Sequence, residues 1–452
     1  MHSRKAIMAG IILLGASHTF AIDNLTPTRP SHRFDRIVSN SGPLSAEEVV
    51  SNHTQMASDS LTHPFGTQAS NTYTYLRCYY HTSDDWTQPA TDYVWGQTAS
   101  GSYYKLSGYW YSAGVIGNLF YTTTSQADIR SACQSTLAQK GIRQPLAAYF
   151  VANHALSYNY TVWTNDSTPQ SGKINRIVAF GDSLSDAQNM YNESNWILPS
   201  QRAYYIGRFT NGANWVEYLG NNLGLTVYNW SVGGAGVNRE ELIIPGVEEQ
   251  VDSWKQYMNQ AVNYSASHTL FTMLIGANDL VNYGRNVAHV IRGESAALEK
   301  LIDAGAKHIL VLTLPDVSKA PVFKLRNDGS TIQAQIVDLR NQLIIAVANL
   351  QARYASRGVN IQVFDTYTLL NDVIANPSTY GVSNTTESCL DINSTSAFNY
   401  TTAQHPRPGC TSTSVANYLF WDTLHPTTRT HEVLGSKVAN FVNSQFAPAL
   451  GK

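Results

Sequence analysis

The sequence predicts an α/β protein in which a parallel sheet flanked by helices follows a small β-rich N-terminal domain. Two observations carry this expectation. From residue 174 onward, short apolar runs at 177–180, 225–232, 269–275, 308–315 and 359–365 alternate with stretches of helical periodicity. Such alternation marks strands joined by crossover helices that cover both faces of a sheet. Residues 71–160 instead alternate aromatic and polar side chains between turn signals, the pattern of short strands. In an open parallel sheet, ligands bind beyond the carboxyl ends of the strands, so the residues that follow the apolar runs are the first place to seek a site.

At the start of the chain, Arg4 and Lys5 precede a short apolar core, Ala6 to Ala16, and Thr19-Phe20-Ala21 offers a small-residue cleavage point. This layout predicts a secretory signal peptide over residues 1–21 and an exported mature chain. The apolar core is too short to span a bilayer, and no later stretch reaches about 18 apolar residues. Residues 22–70, rich in Ser, Thr, Asn, His and Pro, are expected to form an extended or poorly ordered leader. The β-rich aromatic domain then occupies 71–163. Thr72 to Trp95 alternate, Gly101 to Tyr111 reads as strand between turns, and Ser125 to Lys140 reads as a helix carrying Cys133. Its rings are read as sheet core in preference to a membrane-contacting face, a role that Tyr and Trp also suit. Thr164 to Lys173, with Pro169 and Gly172, is the expected linker. Within the sheet-forming part, 174–452, Val287 to Ala304 reads as a helix stopped by Gly305, and 430–446 as a closing helix.

Only 14% of the 452 residues are charged, the formal net charge is −2, and no long run of one sign occurs. That balance argues against nucleic acid as a partner. The 26 tyrosines, with abundant Asn, Ser and Thr, suit an exported protein that meets amphipathic or sugar-like surfaces. Cys78, Cys133, Cys389 and Cys410 allow three pairings. Pairing by region joins Cys78 to Cys133 and Cys389 to Cys410, as staples in an oxidising compartment. No Cys-x-x-Cys spacing points to zinc or redox work. Glycosylation-type sequons at Asn52, Asn159, Asn192 and Asn399 are read as compositional accident, because another, Asn229-Trp230-Ser231, lies in an expected strand.

The chemistry-bearing motifs follow the strands. Gly181-Asp182-Ser183-Leu184-Ser185 comes directly after Ile177 to Phe180. A strand, a glycine and a serine at an expected helix start present a nucleophile where free N–H groups meet an oxyanion. Tyr228 to Gly236 is a strand-like run ending in glycines, and Leu274-Ile275-Gly276-Ala277-Asn278-Asp279 ends in a polar pair. A glycine N–H and an asparagine amide are the donors an oxyanion hole needs. Near the C-terminus, Trp421-Asp422-Thr423-Leu424-His425-Pro426 sets a carboxylate three residues from an imidazole, whose tautomer it can fix. Other motifs fail. There is no Gly-x-Ser-x-Gly elbow. Arg239 stands where a dinucleotide fingerprint beginning at Gly234 needs its third glycine, and His431-Glu432 lacks the second histidine of a zinc protease motif. No cofactor and no metal are expected.

Taken together and in this order, the four blocks resemble the GDSL or SGNH hydrolase family across residues 174–446, and Gly207-Arg208-Phe209-Thr210-Asn211-Gly212 is similar to a run in its longer esterases. The resemblance implies Ser183 as nucleophile, His425 as general base and Asp422 as its orienting partner. It implies the N–H groups of Ser183 and Gly234 and the side chain of Asn278 as oxyanion donors. The aromatic N-terminal stretch, Asn-Trp-Ser-Val-Gly-Gly-Ala and Trp-Asp-x-x-His-Pro-Thr resemble the branch of bacterial thermolabile (lecithin-dependent) haemolysins and glycerophospholipid–cholesterol acyltransferases. That branch implies phospholipase A and lysophospholipase activity, with phospholipid and lysophospholipid substrates, cholesterol as an acyl acceptor, and contact with a membrane surface. A carbohydrate esterase with a sugar-binding N-terminal domain and a membrane-lytic protein without enzymatic activity stand as the alternatives. The polar loop from Cys389 to Cys410 is hypothesised to be a lid whose cleavage raises activity.

Overall fold

The computed structural model describes residues 72–112, 118–155, 157–164, 173–240, 244–259, 261 and 264–452. The expected signal peptide, the expected leader and residues 165–172 of the expected linker lie outside these residues.

The N-terminal region forms a six-stranded sheet: β1 (Thr72–His81), β2 (Thr91–Trp95), β3 (Lys105–Ser112), β4 (Asn118–Thr122), β5 (Leu146–Ala152) and β6 (Val162–Thr164). β1 is central and antiparallel to β2, β3 and β5. Its side chains alternate between two buried environments, as strand geometry requires. Leu76 and Cys78 pack with Phe120 and Val151 beneath helix α1 (Gln126–Gln139), which Cys133 bonds to Cys78. Tyr75 and Tyr79 face the other way, and Tyr79 packs with Phe150 against Tyr205 and Ile206 of the following region. Arg77, fully buried, donates to the carbonyls of His154, Ala155 and Ser157 and to Asn159 Oδ1. Tyr75, Tyr79, Trp95, Phe120, Tyr121, Phe150 and Trp163 are buried, whereas Tyr73, Trp86 and Tyr103 are exposed.

The second sheet is parallel: β7 (Arg176–Gly181), β8 (Thr226–Asn229), β9 (Thr269–Leu274), β10 (His308–Leu312) and β11 (Asn360–Phe364), in the order β11-β10-β9-β7-β8. Ile177 to Phe180 are 0% exposed, so β7 is covered on both faces and reads as a continuous apolar run. β7 leads through α2 (Asn189–Glu193) and α3 (Trp215–Leu223) to β8 on one side. Later connections run the other way through α4 (Val247–Met258), α5 (Ala277–Val281), α6 (Val287–Asp303) and α7 (Gly329–Tyr354). Right-handed crossovers therefore place α3 on one face and α4, α6 and α7 on the other. α4 packs on α6 and α6 on α7, and α9 (Thr428–Gln445) returns against α3 after α8 (Thr366–Ala375). The buried residues of α7, Ile332, Ile336, Leu339, Leu343, Val347 and Leu350, recur at helical spacing. A short parallel pair, β12 (Asn384–Ser388) and β13 (Tyr418–Phe420), brackets the Cys389–Cys410 loop, and those two cysteines are bonded. Among the described residues no helix is long and apolar enough to cross a membrane.

The apolar runs are longer than the strands they mark. The run at 225–232 pairs as β8 only through Asn229, but Trp230 and Val232 continue alongside β7, donating to the carbonyls of Ala179 and Gly181. The run at 308–315 stops pairing at Leu312, ahead of Pro315. β8 and β9 flank β7 on opposite sides, so the reversal of strand order opens a crevice at the carboxyl ends of β7 and β9.

Candidate active site

Ser183 sits in that crevice, on a turn rather than at the expected helix start. A side chain at Gly181 would place its Cβ 2.5 Å from Leu274 O, so only glycine allows β7 to end this close to β9. The Gln250 amide brackets Gly181, accepting from its N–H (2.9 Å) and donating to its carbonyl (2.8 Å). The Asp182 carbonyl then takes the N–H groups of Ser185 and Asp186, closing the turn. Regular helix begins only at Asn189, because the buried Asp186 carboxylate takes the N–H groups of Gln188, Asn189 and Met190 and also that of Gly233 (2.7 Å). One carboxylate thus ties the serine turn to the glycine loop after β8.

Gly234 follows with φ +82°, a conformation that favours glycine. Its carbonyl accepts from Tyr283 Oη (2.6 Å). Among the described residues, the N–H groups of Ser183 and Gly234 have no acceptor. Asn278 lies on the one-turn helix α5 after β9. Its Oδ1 accepts from Asn282 Nδ2 (2.6 Å) and its Nδ2 donates to Ala235 O (2.9 Å), which leaves a second N–H on that nitrogen. Asp279, next in sequence, accepts the Val237 N–H and fixes the far end of the same glycine loop.

The C-terminal pair reaches this place from 242 residues away. Asp422 Oδ1 accepts from the N–H groups of Leu424 and His425 (2.7 Å each), a side-chain turn that sets the loop before α9. Asp422 Oδ2 lies 2.8 Å from His425 Nδ1 and accepts from Tyr204 Oη at 2.9 Å. His425 Nε2 lies 2.8 Å from Ser183 Oγ. A carboxylate can only accept, so Nδ1 carries the proton and Nε2 presents its lone pair to the serine hydroxyl. The imidazole is flanked by Phe209 and Tyr400, with ring centroids 5.1 and 5.4 Å away. The Gly207–Gly212 segment links this loop to the N-terminal sheet. Thr210 donates to Pro426 O, Asn211 accepts from Thr428 N, and Asn211 also donates to Trp86 O.

Burial shapes the surrounding charges. It pushes the Asp182 carboxyl up to about 6 and that of Asp279 up to about 7. The Tyr204 hydroxyl is driven well above its usual range by burial and by the Asp422 charge, so it stays a donor. His431, behind the catalytic loop, is held down at about 3 by burial and by nearby His425, and its Nδ1 accepts the Trp215 N–H.

The nucleophile, its base and the candidate oxyanion donors open on one cleft of about 970 Å³. Ser183, Gly234, Asn278 and His425 form its floor, and Ser394 to Ala397, Asn399 and Tyr400 of the disulfide-closed loop contribute a wall. Residues 177–438 match the GDSL-like lipase/acylhydrolase family. The chain belongs to that family. Residues 39–165 match the N-terminal domain of the Vibrio dual lipase/transferase, a match that starts inside the segment expected as a leader. The thermolabile hemolysin of Vibrio parahaemolyticus is 40% identical over 380 residues, covering 84% of this chain and 90% of that protein. The phosphatidylcholine-sterol acyltransferase of Aeromonas hydrophila is 29% identical over 63% of this chain and 94% of its own length. A secreted effector protein of Salmonella typhimurium is 27% identical over 61% of this chain and 65% of its own. The GDSL family assignment makes the protein a serine ester hydrolase or acyltransferase of the lipolytic kind. Of the five residues singled out for the family's chemistry, Ser183, Gly234, Asn278 and His425 line this cleft, and the buried Asp422 is joined to it through His425. Tyr204, Asp186, Asp279 and Gln250 were not singled out. Asp279 stands in the polar pair that ends the Leu274–Asp279 run without a role read for it, Asp186 is only adjacent to the serine motif, and for Tyr204 and Gln250 there is no signal.

Proposed function

We propose that this protein is an exported esterase that cleaves acyl esters of glycerophospholipids and lysophospholipids and passes the acyl group to water or to a sterol hydroxyl. The observation that carries the reading is the unbroken Ser183–His425–Asp422 hydrogen-bond chain beside unpaired N–H groups. His425 removes the Ser183 proton as the hydroxyl attacks the ester carbonyl, and Asp422 stabilises the imidazolium that forms. The Ser183 and Gly234 N–H groups and the Asn278 amide receive the charge developing on oxygen. His425 then protonates the leaving lysolipid or glycerol oxygen, and the second acceptor repeats the sequence in reverse.

Lipid as substrate is supported by the cleft lining. Leu198, Phe209, Leu280, Val281 and Val322 offer an apolar path for an acyl chain, while Ser394 to Ser396 make a polar rim. Export agrees with the two disulfides. Asn159 and Asn192 are buried and bonded to each other's backbone or side chain, which leaves no room for glycans there. The partition into an N-terminal domain, a linker over 164–173 and a catalytic domain from 174 belongs to the same reading, although Thr164 itself ends β6.

The test is product analysis. Labelled phosphatidylcholine, with and without cholesterol, is incubated with the wild-type protein and with Ser183→Ala. The expected products are free fatty acid and lysolipid, with cholesteryl ester when sterol is present, and none from the variant. Hydrolysis of acetylated xylan without hydrolysis of long-chain phosphatidylcholine would select a carbohydrate esterase. Full lysis of membranes by Ser183→Ala would select a non-enzymatic lytic protein.

A further inference from the structure

The cleft wall contains a charged pair that the acyl-transfer steps do not use. Arg326 and Asp328 both line the cleft that holds Ser183. Among the described residues, they are the only Asp, Glu, Lys or Arg side chains that line it. The Arg326 Nε donates to Asp328 Oδ1 at 2.7 Å, and Nη2 donates to Asp328 Oδ2 and to Val281 O (3.2 Å). The guanidinium rests over the Phe323 ring at 5.0 Å, and the side chain is only 14% exposed. One edge of the planar fork is therefore spent on holding the arginine in place. The other nitrogen, Nη1, has no acceptor among the described residues and is not sealed from solvent.

The placement of this free edge is informative. Val281, to which Arg326 is tied, ends the one-turn helix α5 that begins beside Asn278. Three residues of helix rise about 4.5 Å, so the carbonyl that holds Arg326 belongs to a residue about that far along α5 from Asn278. In a glycerophospholipid the phosphodiester is set off from the scissile carbonyl by the short glycerol backbone. A released fatty carboxylate would instead sit on the oxyanion donors themselves.

We infer that Arg326 is the phosphate-binding residue of this cleft, positioning a phosphodiester headgroup through Nη1 while the acyl carbonyl lies at Ser183. The inference deepens the lipid reading and rests on it. A guanidinium fixed in a partly desolvated wall makes charge-assisted hydrogen bonds to phosphate oxygens, and because its own geometry is already set it loses little freedom on binding. Asp328 competes for the same cation and so limits the affinity for anions.

The experiment uses the full chain and a short p-nitrophenyl ester, which carries no phosphate, with glycerophosphocholine or inorganic phosphate as inhibitor. Glycerophosphocholine is expected to inhibit the wild type competitively. Its inhibition constant should rise at least tenfold in Arg326→Gln, recover in part in Arg326→Lys, and fall in Asp328→Asn. Inhibition by inorganic phosphate equal to that by glycerophosphocholine would assign the site to free phosphate instead of a lipid headgroup. On substrates, the ratio of kcat/KM for lysophosphatidylcholine to that for the p-nitrophenyl ester should drop by 10–100-fold in Arg326→Gln, mainly through KM. An unchanged inhibition constant and ratio, or a wild type indifferent to glycerophosphocholine, overturns the inference. Failure of the lipid reading looks different, since the wild type would then hydrolyse the p-nitrophenyl ester and leave long-chain phosphatidylcholine intact. Thermal melting of each variant separates misfolding from loss of binding.

Discussion

Tyr204→Phe removes one hydroxyl and leaves the ring among its neighbours Phe209 and Tyr400. The lost group donates at 2.9 Å to Asp422 Oδ2, the oxygen that also faces His425 Nδ1. Both side chains are fully buried, so no solvent replaces the bond. Hydrogen bonds to charged groups contribute about 1.5–3 kcal/mol to stability, and the variant should lose an amount in that range. The catalytic consequence has a definite sign. With one donor fewer, the Asp422 charge is less dispersed and favours the imidazolium form of His425 more strongly. The acid limb of the kcat/KM profile should therefore move to higher pH, by up to about one unit if some 1.4 kcal/mol of the lost interaction is transferred. On the alkaline plateau the rate should stay within a few-fold of wild type, because the Ser183–His425 and Asp422–His425 contacts persist. Initial rates on a soluble p-nitrophenyl ester from pH 5 to 9, with urea unfolding in parallel, measure both effects. An acid limb that stays put or moves to lower pH would refute the reasoning, as would a plateau loss as large as that of Asp422→Asn.

Asn278→Ala should lower kcat by about 10²–10³ with little change in KM, the usual cost of deleting one oxyanion donor; steady-state kinetics on the same ester check it. His431→Asn tests a pH effect on stability. The folded chain holds His431 neutral down to about 3, whereas an unfolded histidine protonates near 6.5. Its stabilising contribution is thus complete above about pH 6.5 and declines as pH falls towards 3, by about 2–3 kcal/mol between pH 7 and 4.5. Asp182 and Asp279 act in the opposite sense, since raised carboxyls lose stability as pH rises through 4 to 7. Urea unfolding at pH 4.5 and 7.5 should show a smaller acid-side loss for the variant once its constant offset is subtracted, and an equal loss in both proteins would refute the assignment.

The sequence carried most of the scaffold because a doubly covered parallel sheet leaves continuous apolar runs, and β7, β9 and β10 each follow from theirs. It exaggerated β8, whose run keeps its apolar character past Asn229 where the chain stays extended beside β7 without regular pairing. Ser183, Gly234, Asn278, Asp422 and His425 were legible because each lies in a local pattern next to a strand or a helix start. The expected helix at Ser183 was not there. Asp186 takes the backbone groups that would have begun it, and such competition between side chain and backbone leaves no periodic trace. Tyr204 was invisible for a different reason. It serves Asp422 from 218 residues away, and among many tyrosines nothing local sets it apart.

The two sheets are not independent bodies. Trp163 of β6, wholly enclosed, stacks on Tyr228 of β8 with centroids 4.0 Å apart, and the Arg176 guanidinium lies over Trp163 at 4.9 Å. Tyr228 begins the run that carries Gly234. A chain cut before residue 174 would bare this aromatic seam and leave the last strand of the parallel sheet without its neighbour, a few residues upstream of a loop whose placement has to be held to a fraction of an ångström. The N-terminal sheet thus acts as an abutment, and trimming it should cost catalytic competence before it costs solubility.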